Sequence, residues 1–452
     1  MKCRRIDLTP ELAQRAAAVF EEYGADAWYE RPLEDFLPPI YACPDCSGHE
    51  FERERDILDV WFDSGSSHLA VLEPRSDLSW PADAYLEGSD QFRGYFQSSM
   101  FVGVGVRGHA PYRQVVAHGF VVDENGRKMS KSLGNVIAPQ EIVDKSGAEI
   151  LRMWIAMVDY REDIRLGREV LARVVEAYRK IRNTCRFLLA NLYDFDLRDA
   201  VPIARMDEVD RYALAQYATG AVAVLDAYRD YDFPTISHTL NQFTNVDLSA
   251  FYADVSKDRL YTFPPGSPER RSAQTAMYTI ADGLSRLVAP ILPVTADEMW
   301  RHLPGRREDS VHLAEFPARA SLEPLIDTEL VARWQRLIAV RDEVNRALEA
   351  ARQEKTIGNS LGARVSLQAS GATAALLAQS RTDLPMLFIV SQVELEERNA
   401  GDSLQVRVTR AEGEKCPRCW RTVVAVSTAP GTEGLCDRCQ EAIAGLADRV
   451  AG

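Results

Sequence analysis

The chain's 452 residues leave room for about three domains, and 46% hydrophobic with 27% charged residues is an ordinary globular composition. A formal net charge of -14 bears on solubility and excludes no local basic face, so a nucleic-acid partner stays open. No apolar run reaches the roughly 18 residues of a membrane span. The start "MKCRRIDLTPELAQRAAAVF" also lacks the apolar segment of a secretory leader, so a soluble, cytoplasmic protein without membrane contact is expected.

In chain order, residues 1–55 read as a connective segment. A helix ("PELAQRAAAVFEEYG") precedes Pro-rich irregular chain containing "CPDCSGHEFERE". Cys43 and Cys46 form one Cys-x-x-Cys knuckle, which is half a zinc site. His49 and Cys3 are weak candidates to complete it, and no metal is assigned there. Residues 56–165 read as α/β. The runs "DILDVWF" and "YRQVVAHGFVV" predict strands, while "SDQFRGYFQSSMFVGVGV" and "PQEIVDKSGAEILRMWIAMV" predict helices. Such alternation implies a parallel sheet.

Residues 166–320 turn all-α. In "EVLARVVEAYRKIRNTCRFLLANL" apolar residues recur at Leu171, Val174, Tyr178, Ile181, Cys185, Leu188 and Leu192, the spacing of one buried stripe. The other face carries Arg168, Arg173, Arg179, Lys180, Arg182 and Arg186 against only Glu169 and Glu176; by default this is a solvated face. Further helical stretches make the region a bundle. Residues 321–410 form a junction, with a long helix and a small mixed region. Residues 411–452 hold "CPRCWRTVVAVSTAPGTEGLCDRC", two knuckles separated by 16 residues. Each knuckle sets two thiolates on one turn. Cys416, Cys419, Cys436 and Cys439 would close a tetrahedron around one structural zinc per chain, with no open position for catalysis. A tail this short needs such a staple to fold.

One loop fits none of these structural roles. "VVDENGRKMSKSLGNVIAP" (121–139) gathers Lys128, Ser130, Lys131 and Ser132 around Met129 between two glycines. Lysines and serines suit any solvated surface loop, but the pentapeptide Lys-Met-Ser-Lys-Ser is the signature loop of class I aminoacyl-tRNA synthetases. The chemistry agrees. When an amino-acid carboxylate attacks the α-phosphate of ATP, negative charge builds on the departing pyrophosphate, and a lysine carried by a mobile loop stabilises it. Gly126 and Gly134 give the loop freedom to move.

"DILDVWFDSGSSH", "LEGSDQFRGYF", "DYREDIRLG", "LSAFYADVSKDRLY", "APILPVTADEMW", "RDEVNRALEAARQEKTIGNSL" and the four-cysteine tail together resemble the bacterial isoleucyl-tRNA synthetase family, in the expected order along nearly the whole chain. The resemblance implies the second half of a Rossmann-like parallel sheet, then an anticodon-binding helix bundle and a small zinc module. It implies that Lys131 binds ATP with Lys128 assisting, that Mg accompanies the ATP, and that His118 and Gly119 approach the nucleotide. Glu87 would bind the adenylate's α-amino group, Gly88 would let the backbone come close, and Asp90 and Gln91 would contact the substrate. An acidic helix start is the structural alternative for Glu87. Trp61 would line the isoleucine pocket. Tyr95 stands where the family often has tryptophan. The bundle and zinc module would bind tRNA(Ile), and Trp420 either stacks on a base or covers the metal.

Two family features are absent from these 452 residues: the His-Ile-Gly-His nucleotide signature and the editing domain. The expectation is therefore the C-terminal half of an isoleucine–tRNA ligase, inactive alone and completed by a separate N-terminal half. The alternative is a non-catalytic tRNA- or RNA-binding fragment or paralogue.

Overall fold

Thr9, itself in extended backbone, directly precedes the first helix. Its Oγ1 accepts a hydrogen bond from the Leu12 amide at 3.3 Å, and Pro10 suits the first helical turn, so the helix Pro10–Tyr23 starts there. The computed structural model describes Cys3, residues 5–397 and residues 404–450, and the chain divides into two units, Met1–Ala117 and His118–Gly452. That division falls inside the stretch 56–165.

In the first unit, Phe20, Trp28 and Phe36 meet edge to face with centroids 5.0 to 6.3 Å apart. The run "DILDVWF" is not the strand that its composition predicts. Asp59 Oδ1 accepts from the Trp61 amide at 2.8 Å and starts a helix, Val60–Ser67. A local cap outweighs the β-propensity of so short a run. This helix packs against Tyr95–Arg107 so closely that a Cβ at Gly65 would lie 2.9 Å from the Ser98 backbone. The strand Tyr85–Gly88 pairs with Val115–His118.

"YRQVVAHGFVV" is split at Gly119. Its second piece, Val121–Asp123, pairs in parallel with Ile164–Leu166. A Cβ at Gly119 would lie 2.3 Å from the Glu162 carbonyl oxygen, so only glycine lets these segments meet. Among the described residues these strands form two two-stranded ladders.

The helix Arg168–Ala190 buries its predicted stripe: Val174, Ile181, Cys185, Leu188 and the following Leu192 are at most 5% exposed. It joins Glu208–Arg229, Phe233–Gln242, Ala253–Thr262, Pro268–Val288 and Pro293–His302 in a bundle around one continuous core. Small residues let the central helices approach; a Cβ at Gly283 would overlap the Tyr217 hydroxyl. Buried charge is paired: Arg259 donates to both oxygens of Asp210 at 2.8 Å, and Asp210 also accepts from Tyr252 and Ser272.

The helix Thr328–Gln353 leads to a three-stranded sheet. Its central strand, Ala363–Ala369, runs parallel to Gln392–Glu397 and antiparallel to Gln405–Arg410, with alternate residues buried. No helix among the described residues is long and apolar enough to cross a membrane.

Candidate functional site

The block "LEGSDQ" lies in the first unit. Glu87 sits on the strand Tyr85–Gly88, exposed and without an ion-pair partner among the described residues, while Gly88 is buried. Because Glu87 is on a strand, a helix-start role does not account for it. A 3₁₀ turn, Ser89–Arg93, follows. In it Gln91 Oε1 accepts from the Tyr95 amide at 3.1 Å and Gln91 Nε2 donates to Asp90 at 3.2 Å. The Trp61 ring lies over Gly94: a Cβ there would come within 2.7 Å of the ring and 2.8 Å of Gln91 Oε1. Trp61 and Gln91 thus converge on Gly94, which the sequence reading missed although it directly precedes a helix. Tyr95 stacks on Tyr85 at 4.8 Å and places its hydroxyl 3.4 Å from Ser67 Oγ, which makes it a packing residue here.

The lysine loop lies in the second unit and leaves the strand Val121–Asp123 through a turn with Gly126 at φ +77°. Asp123 is buried. Its Oδ1 accepts from the Asn125 and Arg127 amides at 3.0 and 2.9 Å, and its Oδ2 from Arg127 Nε and Asn135 Nδ2 at 2.9 and 3.0 Å. Asn135 above all, with Arg127, holds this carboxyl far below the usual carboxylate range. Asn135 also donates to the Lys128 carbonyl at 3.3 Å and accepts from the Ser130 amide at 2.9 Å. Ser130 caps a 3₁₀ turn, Lys131–Leu133, that ends at Gly134, φ +64°. Met129 packs against the core of the unit. Lys128 and Lys131 are exposed, with no ion-pair partner among the described residues. His118 Nδ1 lies 2.8 Å from the Gly119 carbonyl oxygen. Neither Asp123 nor Asn135 was singled out in the sequence, where "VVDENG" and "LGN" read as turn formers.

On the helix Arg168–Ala190 all six predicted cations are exposed, but they are not equivalent. Arg182 is held by Glu298 at 2.7 Å, and Arg173 faces Glu169 at 3.9 Å. Arg168, Arg179, Lys180 and Arg186 have no ion-pair partner among the described residues. A groove of about 400 Å³ runs beside them, lined by Arg173, Glu176, Lys180, Asn241 and Asn245 among others.

The four sulfurs of Cys416, Cys419, Cys436 and Cys439 lie within 4.8 Å of one another, all buried. Cys419 and Cys436 are 3.7 Å apart, against about 3.8 Å for the edge of a tetrahedron with Zn–S bonds of about 2.3 Å. Burial raises the Cys416 thiol, but the amides of Cys419, Cys436 and Arg418 outweigh it and bring it to about 6; burial pushes Cys436 up to about 12. The donor set fits zinc, which requires all four as thiolates. The module is docked on the bundle: Arg438 donates to both oxygens of Asp258 at 2.8 and 2.9 Å, and Arg421 approaches it at 3.0 Å. Trp420 is 61% exposed, and Lys415 lies 5.6 Å from its ring.

The other knuckle is more complete than its sequence suggested. The sulfurs of Cys3, Cys43 and Cys46 also lie within 4.8 Å of one another, with Cys3 3.6 Å from Cys43. His49 is turned to the Tyr41 carbonyl at 2.9 Å.

Comparison with known proteins joins these sites. Residues 4–167 match the family "tRNA synthetases class I (I, L, M and V)", residues 210–367 the "Anticodon-binding domain of tRNA ligase", and residues 413–442 the "Zinc finger found in FPG and IleRS". The isoleucine–tRNA ligase of Geobacter sulfurreducens is 49% identical over 98% of this chain and 48% of its own length. That of Syntrophotalea carbinolica is 50% identical over 99% of this chain and 49% of its own. The chain belongs to the isoleucine–tRNA ligase family of class I tRNA synthetases. It spans about half the length of the curated relatives it matches. The fold is shared with a LeuRS from Agrobacterium radiobacter, solved as a ternary complex with tRNA and LeuAMS: TM-score 0.50 at 19% identity, covering 74% of this chain and 37% of that one. The four-thiolate cluster is therefore the family's structural zinc site, as its spacing predicted.

Proposed function

We propose that this chain is the C-terminal portion of an isoleucine–tRNA ligase, which activates isoleucine with MgATP and transfers it to tRNA(Ile) in the cytoplasm. The observation that carries this reading is the signature loop, where Lys128 and Lys131 stand exposed, without an ion-pair partner among the described residues, on a base fixed by buried Asp123. Unpaired ammonium groups are what a departing pyrophosphate requires. Lys131 then takes the leaving phosphates with Lys128 assisting, and His118 and Gly119 border the nucleotide. In the first unit Glu87 receives the substrate ammonium. Gly88, Asp90 and Gln91 contact the adenylate, and Trp61 walls the amino-acid side chain. Residues 1–55 serve as the connective segment, 56–165 as half of the catalytic domain, 166–320 as the anticodon bundle, 321–410 as the junction and 411–452 as the zinc module. Exposed Trp420 suits base stacking.

The first unit exposes Leu86, Phe92, Phe101, Val104 and Val106 together with Trp61 and Phe62. So many exposed apolar side chains suit a separate N-terminal half that completes the Rossmann-like sheet and supplies the His-Ile-Gly-His signature. The test is isoleucine-dependent ATP–pyrophosphate exchange. These 452 residues alone should give none, and addition of the other half from a related ligase should restore it. Lys131→Ala should then cut the rate about 10²- to 10³-fold. Exchange by the lone chain would overturn the half-enzyme reading. A well-folded pair without exchange would favour a non-catalytic tRNA-binding role.

A further inference from the structure

The loop's glycines let it move, but something must set where its lysines point. Asn135 lies one residue beyond Gly134, and its side chain reaches back across the loop. One amide group contacts three segments: it donates to Asp123 on the strand and to the Lys128 carbonyl on the outgoing arm, and it accepts from the Ser130 amide. Asp123 is 7% exposed and accepts four hydrogen bonds, so it is the fixed end of this contact. Within the pentapeptide, Met129 is the residue that packs against the core. The arms are therefore gathered at the base by a single side chain, while neither lysine has an ion-pair partner among the described residues.

We propose that Asn135 and Asp123 are positioning residues, a clasp that closes the base of the signature loop and presents Lys128 and Lys131 together to the triphosphate. This deepens the functional reading above and rests on it. The clasp acts through the lysines and touches no reacting atom. It works only if an amide stands at one position and a carboxylate at the other, because Asp123 can only accept whereas Asn135 must both donate and accept.

That asymmetry supplies the test. Trypsin can cut the loop after Arg127, Lys128 and Lys131, at a rate that follows the fraction of open loop. In the full chain, Asn135→Ala should speed these cuts about tenfold, with an unchanged melt of the whole chain by circular dichroism. Asp123→Asn alone should do the same, since two amide donors then face each other. The swapped pair, Asp123→Asn with Asn135→Asp, restores only the bond between the two side chains and the one from Ser130: the amide now at position 123 keeps its oxygen toward the two backbone amides and donates to the carboxylate now at position 135, which can no longer donate to the Lys128 carbonyl. Cutting by the swap should therefore lie between the parent and the single variants, at least about twofold slower than in Asp123→Asn. Parent-like cutting in Asn135→Ala, or a swap as labile as the single variants, would overturn the clasp. A second arm adds magnesium pyrophosphate. It should slow cutting in the parent and have at least threefold less effect in Lys131→Ala and in Asn135→Ala. Absence of slowing in the parent would overturn the phosphate reading, and with it the presenting role, whatever the cleavage rates say of the clasp.

Discussion

The signature loop and the C-terminal zinc module are both glycine-flanked turns rich in cations, and they treat those cations in opposite ways. In the module, Arg421 and Arg438 converge on Asp258, and Arg418 reaches the Thr262 carbonyl and the Cys439 sulfur. In the loop, Lys128 and Lys131 have no such partner among the described residues, although the backbone beneath them is bonded at Asp123, Ser130 and Asn135. The residue types follow suit. Planar guanidinium groups lock onto a carboxylate in pairs of bonds, whereas ammonium groups remain free to turn toward a ligand. A cation already satisfied by the fold holds the fold; a cation left unsatisfied on a fixed base is available for binding.

The largest effect expected from this contrast is on the metal. Structural zinc contributes on the order of 10 kcal/mol or more in zinc-finger peptides, far above any single ion pair in the docking contact. Cys436→Ser should lower bound zinc by one per chain, measured by elemental analysis after chelator washing. It should also make the segment after residue 411 the first target of proteolysis. Full zinc retention in that variant would remove Cys436 from the site.

Next in size is the docking carboxylate. Asp258→Ala keeps all four thiolates but leaves Arg421 and Arg438 facing each other, both less than a third exposed. The expected cost is about 2 kcal/mol, read from denaturant melts, with zinc content unchanged. If stability holds, the module does not depend on these arginines and the contrast with the loop fails.

A smaller effect is expected on the helix Arg168–Ala190, where the structure sharpens the sequence reading. The stripe looked uniform, but Arg182 is held by Glu298 while Arg179, Lys180 and Arg186 have no such partner among the described residues. Replacing those three free cations by Ala should weaken tRNA(Ile) binding about ten- to a hundredfold at low salt and flatten its salt dependence. Arg182→Ala should change affinity little. A filter-binding series over salt concentration separates the two; the reverse order would show that pairing does not mark the structural cations here.

The sequence disclosed whatever is written in local chemistry. Four cysteines at knuckle spacing, a helical stripe from Leu171 to Leu192 and a five-residue signature need no distant partner to be recognised. It was silent where the outcome depends on contacts across the chain. One local signal was also misread: "DILDVWF" has the composition of a strand, but Asp59 caps it into a helix. Cys3 was no more than a weak candidate beside His49, because it stands 40 residues before Cys43 and nothing local joins them. Asp123 and Asn135 resemble ordinary turn residues until the loop closes on itself. Arg182 differs from Arg179 only because a glutamate 116 residues away faces it.

The smallest expected effect concerns an anion, and it asks whether the contrast holds for the opposite sign. Asp247 lies partly buried in the π-helical stretch Phe243–Tyr252, without an ion-pair partner among the described residues. Burial raises its carboxyl to about 6, against the opposing effect of a hydrogen bond from Gln216. The folded value lies above the unfolded value of about 3.9, so the folded state holds this proton more tightly. Ionisation therefore costs stability. The cost is absent below about pH 4, grows as the pH rises toward 6 and is constant above that. Two units would correspond to about 2.7 kcal/mol, and partial solvent access brings the expected penalty nearer to about 1 kcal/mol. Asp247→Asn should thus raise stability by about 1 kcal/mol at pH 7.5 and change nothing at pH 4, measured by urea melts at both values. Equal stability of parent and variant at pH 7.5 would mean that water satisfies this carboxylate as fully as Arg421 and Arg438 satisfy Asp258. An unpaired charge near the bundle would then carry no strain, and the absence of a partner would mark availability only on mobile loops.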